Sequence, residues 1–479
     1  MSAFSAELML SGLLGLQLIA LIPGGGAWKK IGSTLFLLGM AGVFFLSVFQ
    51  MHIGAESIFS GAIQMDELFR LPRALIALVS LVLGSSVLAS TALPSDRKPE
   101  ILFMITALSL FGRVLLLSQN YLLSFLCLFG LAIPSIFLTG LSFRGPLEGE
   151  ATLKWWYQSS VAVIFGFCAI LLLQLLTGGL QYADIAHAIQ GISTPRALLI
   201  VLLFLFPFFA VAGLFPLHFL SIDRDHGAPW STQAICSILV SGVAALAMLK
   251  AGVAVYHDSE TGRMPMRILE SLGVIASFWC CIGSYTQLNA KRFLAFFSAS
   301  QWSTLLLVVT KPTVLSLAAS VYYFLGVSLA LALIYPVMGS LHEFAGGDET
   351  SDTYGAGRRA GMAGVILLFG MCFFLFAPPL MGFPALFRIL AAHFEQQSIL
   401  RVLDFAVLQL LYAIIAVRLI ANVFFRDAGE RFTSAAAPYF YPKLSTLLGA
   451  LVVAVTLVGG LFWDNIFVTL EAAAKNFVI

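Results

Sequence analysis

A small set of ionisable side chains lies inside long apolar stretches: Arg113, His218, Lys250, Glu270, Arg388, His393, Asp404 and Arg418. A charge in hydrocarbon costs about 2.5–3.5 kcal/mol on insertion scales, so each such group needs a partner or a task. Most sit near the ends of their apolar stretch, where a long side chain reaches the headgroups. His218 differs. It follows Pro216 and precedes Asp223-Arg224-Asp225-His226. An imidazole with an ordinary pKa near 6.5 can pass protons there; the plainer reading is a ring bonded to a carbonyl freed by the proline. Arg388 and His393, five residues apart, either line a wet exit or anchor a helix end at the headgroups. Lys291-Arg292 reads as a basic anchor. Lys154-Trp155-Trp156-Tyr157, with Trp230 and Trp463, reads as an interfacial aromatic belt.

The elements that position these residues are two interrupted apolar segments. One holds Pro207 and Gly213-Leu214-Phe215-Pro216. The other holds Phe376-Ala377-Pro378-Pro379-Leu380-Met381-Gly382-Phe383-Pro384. Within a bilayer, a broken helix persists only where it is buried in protein or lines a cavity. Paired interruptions in two halves point to an ion or substrate path; two proline kinks that only shape packing are the alternative.

Composition fixes the setting. The 479 residues are 60% hydrophobic and 10% charged, with a mean hydropathy of +0.97. Soluble domains carry about 25% charge, so the chain is a polytopic membrane protein. A net charge of +2 offers nothing to nucleic acid. The six cysteines all lie in apolar runs without metal-ligand spacing and read as small buried hydrophobes. Residues 1–23 lack a basic leader and read as a first spanning helix. There is no Rossmann fingerprint, P-loop or iron–sulfur framework, so any redox chemistry belongs to partner chains.

Apolar runs near 3–23, 32–51, 72–92, 99–118, 120–142, 155–176, 197–221, 230–255, 266–286, 291–310, 313–341, 361–394, 400–425 and 444–469 predict an all-α fold of about fourteen transmembrane helices. The loops are short, and the polar, glycine-rich 343–360 reads as exposed. One set of loops carries Lys29, Lys30, Arg97, Lys98, Arg144, Lys154, Arg224, Lys291, Arg292, Arg358, Arg359, Arg426, Arg431 and Lys443. The other carries Arg70, Arg73, Arg196, Arg263, Arg267, Lys311, Arg401 and Lys475. The larger set predicts the cytoplasmic face, with both termini on the far side. The expected organisation is 1–97 as three leading helices, 98–258 and 259–430 as two inverted five-helix repeats with a broken helix each, and 431–479 as a last helix.

Several stretches together resemble the antiporter-like subunits of respiratory complex I, most closely the N type. Pro216-Leu217-His218-Phe219 with Asp223 and Gly227-Ala228-Pro229 is similar to the family segment P-F-H-x-W-x-x-D-x-x-x-G-A-P. Gln287-Leu288-Asn289-Ala290-Lys291-Arg292-Phe293-Leu294-Ala295-Phe296-Phe297-Ser298 resembles Q-T-N-L-K-R-L-L-A-Y-S-S. Glu150-Ala151-Thr152-Leu153-Lys154-Trp155-Trp156 resembles E-A-A-L-K-Y-F. Pro378-Pro379 with Gly382-Phe383 matches G-I-P-P-x-x-G-F. The resemblance implies an antiporter-like fold in a bacterial cytoplasmic membrane. It implies partner subunits that carry NADH, FMN, iron–sulfur clusters and quinone, with no cofactor on this chain. It also implies a mid-membrane proton axis of one Glu and several Lys.

That axis is where the chain departs. The family Glu falls on Phe129 and its Lys residues on Val211, Ser241 and Leu386; its His falls near Ser300-Gln301. Two readings follow. One is a rewired proton path through His218, Ser241, Lys250 and Gln301, with Arg388 and His393 as further candidates and Gly213, Pro216, Pro378, Pro379 and Gly382 shaping the breaks. The other is a non-pumping spacer. A subunit of a cation antiporter or an inorganic-carbon uptake assembly is a third possibility, since these share the fold.

Overall fold

Long apolar runs can satisfy their backbone in lipid only as helices, and helices account for nearly the whole chain. The computed structural model describes residues 4–22, 26–52, 54, 56–141, 145–190, 192–256, 263–308, 312–427, 439 and 441–478. Arg144, Lys311 and Arg431 of the topology argument lie outside them. The helices are α1 (Ser5–Leu21), α2 (Gly26–Phe49), α3 (Arg70–Ala89), α4 (Lys98–Leu117), α5 (Tyr121–Gly140), α6 (Pro146–Thr177), α7 (Tyr182–Ile189), α8 (Thr194–Ala212), α9 (His218–Gly227) and α10 (Trp230–Ile235). After a π-helical stretch, Cys236–Gly242, come α11 (Val243–Tyr256), α12 (Arg263–Thr286), α13 (Ala290–Thr304), α14 (Val314–Ala345), α15 (Met362–Phe373), α16 (Gly382–Glu395), α17 (Ile399–Ile420), α18 (Lys443–Leu461) and α19 (Trp463–Val478). A two-residue hairpin, Ser57–Ile58 with Ile63–Gln64, is the one sheet among the described residues.

Eleven helices are long and apolar enough to span, or twelve with the bent pair Thr350–Arg358 and Met362–Phe373. Among the described residues the expected count of about fourteen is not confirmed. The runs 3–23, 291–310 and 361–394 are helical but short or broken, and the run 444–469 bends at Phe462 into α18 and α19. The 343–360 loop is not simply exposed. Asp352, Thr353 and Ala356 are buried, because the loop pairs with the α12–α13 turn through Ala290 N to Asp348 O at 2.7 Å and Thr350 N to Leu288 O at 2.8 Å.

The apolar stretch of α14 is hydrophobic all round and buried throughout, as a helix with no polar face should be. It packs against α3, α10, α13, α15, α16, α18 and α19. The 32-residue α6 lies at the rim, with Trp156, Tyr157, Phe167 and Leu175 exposed. Trp155 and Trp230 leave the expected belt and are core residues. Trp155 donates to Ser135 Oγ at 2.8 Å and Trp230 to Asp348 Oδ1 at 2.9 Å.

Both interruptions are real breaks. α8 ends on Gly213, whose φ of 65° is left-handed, and a side chain there would strike Ser221. Pro216 removes a backbone donor and α9 starts anew at His218. At the second break the freed groups pair locally, with Phe376 N to Phe373 O at 3.2 Å and Leu380 N to Ala377 O at 2.9 Å. Pro378 and Pro379 form the turn, and α16 restarts at Gly382, where a Cβ would collide with the Phe373 carbonyl. Gly460 of α18 lies directly against Pro379 O. Gly382 and Gly460 thus pack the break against α15 and α18, while Pro378 and Pro379 themselves are exposed.

Candidate functional site

The positions that align with the missing charges divide sharply between the halves. Phe129 on α5 and Val211 on α8 line one apolar cavity of about 10 Å³, at the lower limit for a single water. Leu386 is half-buried on α16. Ser241 and Gln301 are both buried and lie on a different, polar column.

This column is built of hydroxyls and amides. Tyr335 of α14 donates towards Leu294 O at 3.1 Å and Ser298 Oγ at 3.2 Å on α13. One turn further along α13, Gln301 Oε1 accepts a short hydrogen bond from the Tyr323 hydroxyl, which also lies within reach of Gln409 and Thr304. Tyr412 of α17 meets Ser300 Oγ at 2.7 Å and Thr304 Oγ1 at 3.0 Å. Ser300 donates to Ser277 O at 2.6 Å, and Ser277 Oγ lies 3.4 Å from Thr304 Oγ1 on α12. All these side chains are buried. Gln301 Nε2 and Ser328 Oγ are buried without a protein partner. Buried polar atoms of this kind are satisfied by internal water.

Each end of the column meets charge. At the basic face, Asp223 joins Lys154 at 2.7 Å and Arg292 at 3.5 Å. Arg224 and Asp225 lie beneath, fully buried, with Arg224 Nε to Asp225 Oδ1 at 2.7 Å and Arg224 Nη2 to Ser241 Oγ at 3.3 Å. Arg224 is therefore no loop cation, as the topology argument had it. Tyr335 interacts electrostatically with both members of the pair. It also lines a cavity of about 330 Å³ shared with Ser90, Ser231, Glu343 and Tyr439. At the other end, Glu270 precedes Ser277 on one face of α12 by two turns, about 10 Å. Glu270 pairs with Arg401 at 2.9 Å, Arg401 with Asp404 at 3.0 Å, and His393 lies within their electrostatic reach.

The remaining candidates separate. His218 stacks on Phe215, 5.3 Å between ring centres, with Phe219 and Phe296 at its edges. Its ring also lies within hydrogen-bonding reach of the Pro216 backbone, which matches the plainer of the two readings of the sequence. Lys250 lies in the middle of α11, more than two turns beyond Ser241. Its three donors go to Asp66 Oδ2 at 2.8 Å, Leu116 O at 2.7 Å and Ser118 O at 3.1 Å. An ammonium has three protons, so every donor of Lys250 is engaged in holding α11 to these groups. Arg388 faces Asp464 and Glu471 and stacks on Trp463 and Phe467, each 4.8 Å away, which ties α16 to α19. His393 is buried with both ring nitrogens unpartnered. Arg418 donates to Tyr285 O. Arg113 belongs to a buried triad in which Glu7 Oε1 accepts from Arg73 and Arg113, both at 2.7 Å.

Sequence reasoning missed Tyr323, Tyr335, Tyr412, Ser277 and Thr304, which are inconspicuous in apolar runs. Ser300, Gln301 and Thr304 within one turn of α13 are the signal that was available.

The comparisons with known proteins agree with this architecture. Residues 118–412 match the family described as NADH:quinone oxidoreductase/Mrp antiporter, transmembrane. The chain is 28% identical over 375 residues to NADH-quinone oxidoreductase subunit N 2 of Acidobacterium capsulatum, 74% of each chain. It is 25% identical over 492 residues to the protein of that name in Chloroherpeton thalassium, 99% of this chain and 94% of the relative. Among solved structures, a chain of an archaeal membrane-bound sulfane sulfur reductase superposes with a TM-score of 0.83 at 19% identity, over 98% of this chain and 97% of that one. A chain of respiratory complex I from Thermus thermophilus gives 0.76 at 20% identity, over 96% and 98%. The family match, the two broken helices and the buried polar column lead to one conclusion: this chain is a member of the NADH:quinone oxidoreductase/Mrp antiporter family of membrane subunits.

Proposed function

We propose that the chain is a membrane-arm subunit of a complex I-like NADH:quinone oxidoreductase and that its second half conducts protons. The relatives named as subunit N of NADH-quinone oxidoreductase support the assembly. The observation that carries conduction is the buried column from Tyr335 to Ser277, whose unpartnered Gln301 amide and Ser328 hydroxyl call for water. A hydroxyl both donates and accepts, so a chain of hydroxyls and waters hands protons on without holding charge. Charge is held only at the ends, by Arg224–Asp225 and by Glu270–Arg401–Asp404. Moving one charge against 100 mV takes about 2.3 kcal/mol, which the redox partners supply. NADH, flavin, iron–sulfur clusters and quinone belong to those partners. The membrane is the bacterial cytoplasmic one, with the Lys154–Asp223–Arg292 face inside and both termini outside. Residues 98–258 and 259–430 act as two inverted repeats, the first sealed around Phe129 and Val211 and the second open.

The test is Gln301→Leu combined with Tyr412→Phe in the reconstituted native complex. The reading expects fewer protons per electron pair, with NADH oxidation and assembly retained. Unchanged stoichiometry removes it. Co-purification without flavin or iron–sulfur subunits would instead place the chain in a cation antiporter or an inorganic-carbon uptake assembly.

A further inference from the structure

The Arg224–Asp225 pair is an unusual use of buried charge. Taking two charges out of water costs several kcal/mol per ion after relaxation. Elsewhere the expense secures contact between distant elements: Glu7 joins α1 to α3 and α4, and Lys250 joins α11 to the turn before α3. Arg224 and Asp225 are neighbours in sequence, so their ion pair joins nothing. They stand at unspecified positions of the family segment, directly after the matched Asp223.

The guanidinium reaches Ser241, where the resembled family has a Lys. Arg224 Nη2 donates to Ser241 Oγ at 3.3 Å, its plane lies 4.3 Å over the Trp155 ring, and Nη1 is buried with no protein partner. We infer that Arg224 brings from α9 the positive charge that α10–α11 lacks at Ser241, and that Asp225 is the group that takes up and releases the proton there. The inference rests on the proton-path reading above.

The chemistry follows from the two side chains. A guanidinium keeps its proton under all ordinary conditions, so only Asp225 can titrate within the pair. The groups facing it are Trp155 of α6, Cys236 and Ser241 along α10–α11, and Tyr335 of α14, with Asp223, Lys154, Arg292 and His226 towards the surface. A proton arriving from the basic face bonds to a carboxylate oxygen, and the pair changes from neutral to one net positive charge, held on Arg224. That charge favours onward release. Water carries the proton to the Tyr335 oxygen, Tyr335 gives its own proton to Ser298, the Ser298 hydroxyl turns from Ala295 O and releases its own proton to a further water, and only O–H bonds are made and broken.

The test uses the whole reconstituted complex and two readouts. Isotope-edited infrared difference spectra with labelled aspartate, recorded on NADH addition, should show a carboxylic-acid carbonyl band that Asp225→Asn abolishes. Proton counts per electron pair should lose this chain's share in Asp225→Asn and in Arg224→Leu. Adding Ser241→Lys to Arg224→Leu should restore them. If Asp225→Asn fails to assemble, the absence of any aspartic-acid band in the unaltered complex overturns the inference by itself. An intact band and intact stoichiometry in Asp225→Asn, beside a lowered count in Gln301→Leu, overturn this inference alone. An unchanged count in Gln301→Leu overturns the underlying path.

Discussion

Lys250→Ala should damage the fold and leave proton chemistry alone. The ammonium is buried with every donor used, by Asp66, Leu116 O and Ser118 O. Removing one member of a buried pair costs about 3–5 kcal/mol, because the other charge is left without compensation. Asp66 keeps one bond, from Gln119 Nε2 at 2.8 Å, so the lower figure applies to the pair. The two orphaned carbonyls add about 1–3 kcal/mol each if water does not reach them. The total exceeds what a single chain in a large assembly tolerates without a lower denaturation temperature. Lys250→Met with Asp66→Asn removes both charges and keeps an acceptor for Gln119. It should recover the ion-pair part of the loss, about 3 kcal/mol, since neutral replacement of a buried pair is often close to free, while the two carbonyls stay unpaired. The assay is the denaturation midpoint of the purified complex in detergent, beside its yield on native gels. Proton counts on whatever complex survives complete the measurement. A Lys250→Ala complex of normal midpoint and yield but lower proton count would refute the reasoning and return Lys250 to the pathway.

Two further substitutions probe the scaffold. Gly460→Val should prevent stable assembly, because the new Cβ collides with Pro379 O and the Leu380 backbone at the second break; overpacking costs about 1–3 kcal/mol even against movable side chains. Gly12→Val, with open space around it, is the control, and equal yields on native gels would count against the close packing of Gly460 on the break. Arg388→Ala should cost only about 1–2 kcal/mol, from half-exposed ion pairs and stacking on Trp463 and Phe467. Faster hydrogen exchange over 463–478 with unchanged proton counts is the expected result, and a lowered count would place Arg388 on the path.

Much of the scaffold was legible before any coordinates, because hydropathy and proline act locally. Pro216 and Pro378-Pro379 remove donors wherever the chain goes, so both breaks stood out. The number of spans was less legible, since short helices such as α13 and the bend at Phe462 follow from packing. The site was harder still. Lys250 looked like a relay group because its partner Asp66 lies far off in sequence. Arg224 and Asp225 looked like a polar loop because Trp155 and Ser241, which enclose them, come from other helices. Hydroxyls such as Tyr323 and Tyr412 mark no pattern of their own until α13, α14 and α17 bring them together.

The π-helical stretch Cys236–Gly242 bears on how such a site arises. A turn closed by i→i+5 bonds accommodates one residue more than an α turn. One residue corresponds to a rotation of about 100° about the axis. Gaining or losing a single codon in this stretch therefore swings Ser241 and its neighbours to a different side of the helix while the apolar composition stays the same. A lineage that lost its lysine here can re-aim the segment in one genetic step, without passing through a chain that no longer inserts.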